Sequence, residues 1–243
     1  MSTASGQLSI TWLGHSTVKI TSPGGKILLI DPWVMNNPKT PDDQKTIDHL
    51  DLMLITHGHY DHIGDGVQIA RATTPQVVAN FETCHWLQGK GVQNTNPMNK
   101  GGTQQVAGIT ITMTHADHSC GIVDGDQIIY GGEAAGYVVR FEDGFTLYHA
   151  GDTALFSDMR LIGELYKPDL AMLPIGDLFT MDPHQAALAC AFLGVKRVMP
   201  LHYGTFPALT GTPAALREAL RNVPGVEPEL IELQPGHTLE RRV

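Results

Sequence analysis

A chain of 243 residues with 42% apolar content is long enough to bury one large core or two small ones, and too apolar for disorder. Its 16 basic against 25 acidic residues give a formal charge of −9, and no basic cluster is longer than the pair Arg241 and Arg242, which excludes nucleic acid as an expected partner. Three cysteines (Cys84, Cys120, Cys190) form no C-x-x-C pair, "MSTASGQLSI" has no basic-then-apolar leader, and no run approaches about 18 apolar residues, so the expectation is a cytoplasmic chain with free thiols and no membrane partner.

In chain order, "LSITWLG", "STVKIT", "KILLID" and "LDLMLIT" are short, β-branched or leucine-rich and bounded by Gly, Pro or Asp, which predicts strands. After Thr56, "GDGVQIARATT" and "NFETCHWLQGKG" space their apolar residues as helices do. Strands then resume in "AGYVVRFEDGFTLYHAGD" around an Asp-Gly turn. They are followed by "LFSDMRLIGELYK", "DLAMLPIG", "MDPHQAALACAFLG", "RVMPLHYG" and "TPAALREALRNV". Asp182 before Pro183 and Thr212 before Pro213 are helix starts, each an N-cap residue preceding a first-turn proline. The alternation predicts a layered α/β fold. "VKITSPGGKILLID" and "VVRFEDGFTLYHAGD" share the order strand, glycine turn, strand, aspartate, so a duplicated half is expected. No flexible linker separates the halves, which predicts a single domain over residues 1–243. The irregular segments 35–46 and 204–212 are candidate loops bordering a site.

The chemistry concentrates in "ITHGHYDHIGD", residues 55–65, where three histidines and two aspartates follow an apolar run. Imidazoles and carboxylates suit zinc-like divalent ions, and a spacing of two puts His57 and His59 on one side of an extended segment. Asp61 and His62 could face a second ion. A polar turn would leave several imidazoles to be buried unpaired, at a cost of kilocalories each. One segment cannot complete two coordination spheres. Three further stretches at strand ends offer ligands: "THADHSC" has His115 and His118, "YHAGDT" has His149 and Asp152, and "MPLHYG" has His202.

The pattern H-x-H-x-D-H, a downstream His, G-D-T and a terminal His resembles the metallo-β-lactamase superfamily. "WLGHSTVKI", "IDPW", "AGDT", "LPIGDLFTM" and "VMPLHYGTF" resemble its subgroup of small uncharacterised metal-dependent hydrolases, related to ascorbate-phosphate lactonases and phospholipase D-type enzymes, over residues 8 to 238. The resemblance implies a four-layer αββα sandwich with the metal site at one edge of two packed sheets. It implies His57, His59 and His118 as ligands of one ion, Asp61, His62 and His202 as ligands of the other, and Asp152 bridging both. His118 is preferred to His115 because "A-D-H-S" resembles the subgroup's A-x-H-S; His115 stays an alternative. Asp31 in "IDPW" resembles the aspartate that orients the metal-bearing turn without binding metal. His59 stands where the oxygen-reducing di-iron branch has glutamate, which disfavours redox chemistry. The cofactors implied are two divalent ions, zinc foremost, with manganese, nickel or iron as alternatives. Relatives of this fold commonly form homo-oligomers.

The expected reaction is hydrolysis of a small ester, lactone, amide or phosphodiester by water activated between two ions, with Asp61 as catalytic carboxylate. No G-x-S-x-G elbow calls for a covalent route. A protein of this fold that binds metal or a ligand without turnover is the alternative. His15 in "LGHST" is a candidate catalytic, substrate-facing residue; a histidine satisfied in a hairpin turn is an equal reading. His149 is expected behind the site, Gly58 to let the backbone approach an ion, Tyr60 to pack or line the pocket, and Asp65 to start a helix. Cys120 and Cys190 are expected in the core. Asp177 and His184 could border the pocket, without an assigned role.

Overall fold

The computed structural model describes residues 6–225 and 227–241, so the two ends of the expected domain, with Ser5 and Arg242, lie outside the described residues. The chain opens with β1 (Leu8–Gly14), β2 (Thr17–Thr21), β3 (Ile27–Ile30) and β4 (Leu52–Leu54), at the four expected places. A single-turn helix α1 (Tyr60–Ile63) lies inside the histidine-rich stretch, followed by α2 (Gly66–Thr73), β5 (Gln76–Asn80) and α3 (Phe81–Gly89). Next come β6 (Thr95–Met98), β7 (Thr103–Val106), β8 (Ile109–His115), β9 (Gly121–Asp124) and β10 (Gln127–Tyr130), strands absent from the expected set. Their signals are weak for physical reasons: β6 contains Pro97, tolerable because it is an edge strand, and β9 and β10 form a separate two-stranded sheet whose Val123, Ile128 and Tyr130 are exposed. In β8 the alternation I-T-I-T-M-T is a readable strand signal.

The second half contains β11 (Ala135–Arg140), β12 (Thr146–His149), α4 (Met159–Tyr166), β13 (Leu170–Pro174), α5 (Pro183–Leu193), β14 (Arg197–Leu201), α6 (Pro213–Arg221), β15 (Glu229–Leu230) and β16 (Thr238–Arg241). Both proline-led helices start as expected. The Asp182 carboxylate accepts the Gln185 N–H at 2.7 Å within a capping box, and the Thr212 hydroxyl accepts the Ala215 N–H at 3.1 Å.

Two seven-stranded mixed sheets result, ordered β16-β1-β2-β3-β4-β5-β6 and β15-β14-β13-β12-β11-β8-β7. Their inner faces meet in one core, where Leu28, Ile30, Leu52 and Leu54 of the first sheet join Tyr137, Val139, Leu170 and Met172 of the second. The alternate residues Leu29 and Met53 turn outward onto α2 and α3, sharing a cluster with Ile69, Ala70 and Leu87. Val138, Ala171 and Leu173 turn the other way onto α4, α5 and α6. Strands buried on both faces need apolar residues at every position, which is why "ILLI" and "LAMLP" lack alternation. Helix, sheet, sheet, helix is the αββα arrangement expected.

The echo between the halves has a structural counterpart. β2 and β3 pair antiparallel, as do β11 and β12, and in each half the second strand then pairs parallel with the next, β3 with β4 and β12 with β13. Parallel strands deliver their carboxyl ends to one side, where loops and ligands collect. The sheets are tied together at that side: Tyr137 donates its hydroxyl to Ile55 O at 2.8 Å, the Ala135 N–H bonds Thr56 O at 3.0 Å, and the His202 N–H bonds His15 O at 3.0 Å. Among the described residues no helix is long and apolar enough to cross a membrane.

Candidate metal centre

Every residue of the expected ligand set follows a strand or starts the helix after one. His15 occupies the turn between β1 and β2, Asp31 ends β3, the stretch after β4 carries His57 and His59 into α1 with Asp61 and His62, and His118, Asp152 and His202 follow β8, β12 and β14. His15, Asp31 and His202 have left-handed φ values of 55°, 53° and 56°, a conformation that costs an L-residue about 1–2 kcal/mol. The sharp exits turn these side chains off the sheet edge and toward one another, so strain is concentrated where chemistry is expected.

The side chains converge as two groups sharing a carboxylate. His59 Nδ1 lies 3.0 Å from His57 Nε2 and 3.3 Å from His118 Nε2. Asp152 Oδ2 lies 3.0 Å from His202 Nε2, 3.2 Å from His62 Nε2, 3.8 Å from His118 Nε2 and 4.0 Å from His57 Nε2. Asp61 Oδ2 lies 4.0 Å from His202 Nε2. A tetrahedral ion with bonds of about 2.0–2.1 Å holds its ligand atoms about 3.3 Å apart, so the first group has the spacing that such an ion requires. Asp152 Oδ1 is buried in the middle of the cluster without a hydrogen-bond partner, and His62 Nε2 has no neighbour there except Asp152 Oδ2 at 3.2 Å, off hydrogen-bond alignment. Buried unpaired donors and acceptors are costly, and a cation between them would satisfy both. By this test the donor set fits divalent metal.

A second layer sets which ring nitrogens face inward. The Asp31 carboxylate accepts the Thr56 N–H and the Thr56 hydroxyl, each at 2.8 Å, and the His62 Nδ1–H at 2.7 Å. Because the Thr56 hydroxyl donates to Asp31, it accepts the His57 Nδ1–H at 3.0 Å. With Nδ1 engaged in this way, Nε2 is the ring nitrogen that both imidazoles turn toward the cluster, the orientation that metal-binding histidines adopt. This is the orienting role expected of Asp31.

Electrostatics agree. Burial, reinforced by the neighbouring His62, pushes the His57 imidazole well below its usual value, and burial with the same neighbour lowers His59. Burial also lowers His118. For His62 burial works downward, but the Asp152 and Asp31 carboxylates flanking its two nitrogens carry it well above the usual value. Against the same desolvation, His202 and His62 hold Asp152 well below the carboxylate range. His57, His59 and His118 are thus held neutral, while His62 is favoured in its charged form beside Asp152, so the carboxylate pair attracts positive charge to the place where an ion would sit.

His15 is fully buried behind Asp61. Its Nε2 is 3.0 Å from Asp61 Oδ2 and its Nδ1 3.0 Å from the Thr205 hydroxyl. Burial pushes its imidazole down to about 4, so near neutral pH it carries one ring proton. Directed at Asp61, that proton leaves Nδ1 to accept the Thr205 O–H. Burial, the largest single influence, raises the Asp61 carboxyl, but the His15 hydrogen bond and the nearby His62 and His15 together more than offset it and hold Asp61 below the usual range.

Other expectations divide. His118 faces the cluster, whereas His115 is exposed, with its Nδ1 3.2 Å from Lys100 Nζ and its ring against Phe156. His149 is buried behind the sheet edge, with Nε2 3.2 Å from Ser16 O and Nδ1 accepting the Gly151 N–H at 3.1 Å. Tyr60 lines the cavity. Cys120 and Cys190 are buried and unpaired. Asp65 precedes α2, but its carboxylate makes no cap; it accepts the N–H groups of Val34 and Met35 at 2.6 and 2.7 Å and pins that loop. Gly58 is required for a different reason than expected: a Cβ there would collide with the Ile122 side chain of β9. Asp177 and His184 are exposed and absent from the cavity wall. The 204–212 loop borders the site through Thr205 and Phe206. The 35–46 loop instead packs on the end of β1, with Thr40 donating to Leu13 O at 2.7 Å and Asn37 to Gly14 O at 3.2 Å.

The cluster opens into a cavity of about 470 Å³ whose wall includes His59, Asp61, His118, Asp152 and His202 together with Tyr60, Val123, Phe179 and Phe206. A larger hollow, about 770 Å³, lies beside the carboxyl ends of α4 and α5, among Arg160, Lys167, Lys196 and Arg197, and contains none of these histidines. Thr56, Thr205, Ser119, Phe179 and Phe206 are site residues that the sequence reading did not single out. Thr205 and Phe206 lie in a segment it marked as a bordering loop, and their polar and aromatic types inside that loop were the available signal.

Comparison with known proteins places this geometry among related chains. The family model described as the Beta-lactamase superfamily domain matches residues 26–203. A UPF0173 metal-dependent hydrolase of Koribacter versatilis is 55% identical over 231 residues, covering 95% of this chain and 97% of the relative. One from Solibacter usitatus is 55% identical over 233 residues, covering 96% and 100%. Among solved structures, Igni18, a metallo hydrolase from the hyperthermophilic archaeon Ignicoccus hospitalis, superposes with a TM-score of 0.84 at 35% identity over 98% of this chain and 99% of that one.

Proposed function

The chain belongs to the beta-lactamase superfamily, among the UPF0173 metal-dependent hydrolases, and from that membership we propose a hydrolase whose centre holds two divalent ions, zinc foremost, and cleaves a small ester, lactone, amide or phosphodiester. One observation carries the reading. A single carboxylate oxygen, Asp152 Oδ2, lies within 3.0–4.0 Å of nitrogens from His202, His62, His118 and His57, which supports its sharing by both ligand groups. His57, His59 and His118 would hold one ion, and Asp61, His62 and His202 the other, with Asp152 shared. Bound there, the ions would act as Lewis acids and lower the pKa of water from 15.7 toward about 7.

The chain's own residues supply orientation and proton handling. Asp61 lines the cavity with its Oδ2 fixed by the neutral His15, so its carboxylate stands ready to accept a hydrogen bond from the attacking water. Held below the usual range, it is a weak base alone; with ions bound it would hold the proton released by the water and could return it to the departing group. Asp31 and Thr56 keep the His57 and His62 lone pairs aimed inward throughout.

A cavity of about 470 Å³ supports a small-molecule substrate. Three buried, unpaired thiols support a reducing, cytoplasmic setting, and continuity of the inner core across both sheets supports one domain. The test joins metal analysis of purified protein to a panel of p-nitrophenyl esters, lactones and bis-p-nitrophenyl phosphate. About two ions per chain and turnover abolished by chelation are expected. Protein without stoichiometric metal, or loaded protein inert across the panel, counts against the proposal, the latter leaving the binding-only alternative.

A further inference from the structure

The cavity wall has a composition that hydrolysis alone does not require. Among the described residues no lysine or arginine lines it, and the only carboxylates on its wall are Asp61 and Asp152, both in the cluster. Sites that grip phosphate or carboxylate groups use arginine or lysine to do so, and none is available here beyond the reacting centre. The mouth is instead apolar and exposed: Tyr60, Val123 and Phe179 are 56%, 60% and 59% accessible. Large apolar side chains grouped at the rim of a cavity mark a binding surface.

Two features show that this collar is built. Phe206 stacks on buried Trp33 with ring centroids 6.0 Å apart, and Trp33 meets Tyr60 edge-on at 5.9 Å, so one wall is a braced aromatic surface. Facing the same cavity, Phe179 is carried by a strained turn. Asp177 and Leu178 are consecutive non-glycine residues with φ of 65° and 57°, and a leucine in this region is a true outlier. The turn is held by the Leu178 N–H on Asp177 Oδ1 at 2.7 Å and the Asp177 N–H on Met181 O at 3.1 Å. Its outcome is an aromatic ring left largely exposed on the wall of the cavity, so backbone strain is found where substrate would enter.

We propose that the enzyme takes uncharged substrates bearing an apolar group beside the scissile bond, gripped by the collar of Tyr60, Val123, Phe179 and Phe206. The inference rests on the hydrolase reading above, and names the substrate class of that site. Aliphatic ester and lactone substrates fit; substrates with an anionic tail do not, because nothing along the wall would offset the lost hydration of the charge.

The test uses the full-length, metal-loaded protein with p-nitrophenyl acetate, butyrate and hexanoate, and with the mono-p-nitrophenyl ester of adipic acid, whose tail has similar length but ends in a carboxylate. kcat/KM is expected to rise about two- to fourfold per added methylene, and to favour hexanoate over the adipate ester at least tenfold. Phe179→Ala, and independently Val123→Ala, should lower the hexanoate value most and the acetate value least. In parallel, binding of 1-butanol, 1-hexanol and 1-octanol, followed by tryptophan fluorescence, reads the collar without turnover. Affinity should rise along the series and the rise should collapse in Phe179→Ala. Chain-length-independent turnover and binding, or an equal or better rate with the adipate ester, would overturn the proposal. Phe179-dependent alcohol binding by protein that is inert on these esters and on the lactone and phosphodiester panel would sink the hydrolase reading while sustaining the apolar collar.

Discussion

His15 Nε2 lies 3.0 Å from Asp61 Oδ2 while its Nδ1 lies 3.0 Å from the Thr205 hydroxyl, so one buried imidazole joins the carboxylate of the histidine-rich stretch to a loop near the far end of the chain. Fully buried and absent from the cavity wall, His15 does not face substrate as expected, and within the proposed hydrolase it would act as a positioning residue that aims Asp61. His15→Gln, which keeps volume, is expected to lower kcat about 10–100-fold with metal content retained and KM little moved. Thr205→Val should produce a smaller loss of the same kind. A His15→Gln enzyme with full metal and full kcat would remove the role.

Asp31 accepts three hydrogen bonds from Thr56 and His62 without facing the cavity. Asp31→Asn retains the shape but loses the charge opposite the His62 Nδ1–H, so metal affinity should fall about 10–100-fold. Competition against a chromogenic chelator measures it. Wild-type affinity in that variant would mean the ligands are fixed without Asp31.

Metal and fold are linked through the lone-pair-rich cluster. An ion that binds only the folded chain stabilises it by about 2.7 kcal/mol at a hundredfold excess over its Kd. For a chain of this size that corresponds to a rise in Tm of about 5–10 °C. Calorimetry before and after chelation checks it, and identical melting curves would show that the cluster is not a metal site.

Gly58 is a packing requirement in the middle of the ligand stretch. Gly58→Ala forces its new methyl against Ile122 and should cost about 1–3 kcal/mol. Because the clash has one partner, Ile122→Ala should recover part of that loss, so the double variant is more stable than the sum of the singles predicts. Denaturant unfolding of the four proteins reads the coupling; strict additivity would put the cause elsewhere.

Burial pushes the Cys84 thiol up to about 11 and the Cys190 thiol up to about 12. The unfolded chain ionises its thiols near pH 8.5–9, so above that range it binds fewer protons than the folded protein and stability falls as pH rises. Stability should therefore be unaffected by these groups below about pH 8.5 and decline toward pH 12. Native protein at pH 8 should react slowly with a thiol reagent and rapidly once unfolded. Prompt modification of Cys84 and Cys190 in the native state would contradict their burial.

Much of this was legible in the chain. Apolar runs marked most central strands because strands covered on both faces tolerate few polar residues. The two capped helices were legible because capping is local, as in Asp182 with Gln185. The edge strands and the β9–β10 hairpin were not, since their exposed positions leave residue choice weakly constrained. Asp65 illustrates a different failure: its place before a helix is local information, but its carboxylate is committed to backbone groups about thirty residues earlier in the chain.

By itself, the sequence determined the donor chemistry: histidines two apart in "HGHYDH", with Asp152, His118 and His202 at later strand ends, are residue types that only metal chemistry would demand together. The resemblance already favoured His118 over His115 and made Asp152 the shared carboxylate; tertiary structure alone supplied the distances that gather them and the reach of His15 to Asp61. It also decided that a strained turn holds Phe179 over the cavity. The physical reason is one of range: ligand identity is a property of single side chains, whereas distance, burial and left-handed strand exits arise only when two sheets pack and bring remote segments to one edge.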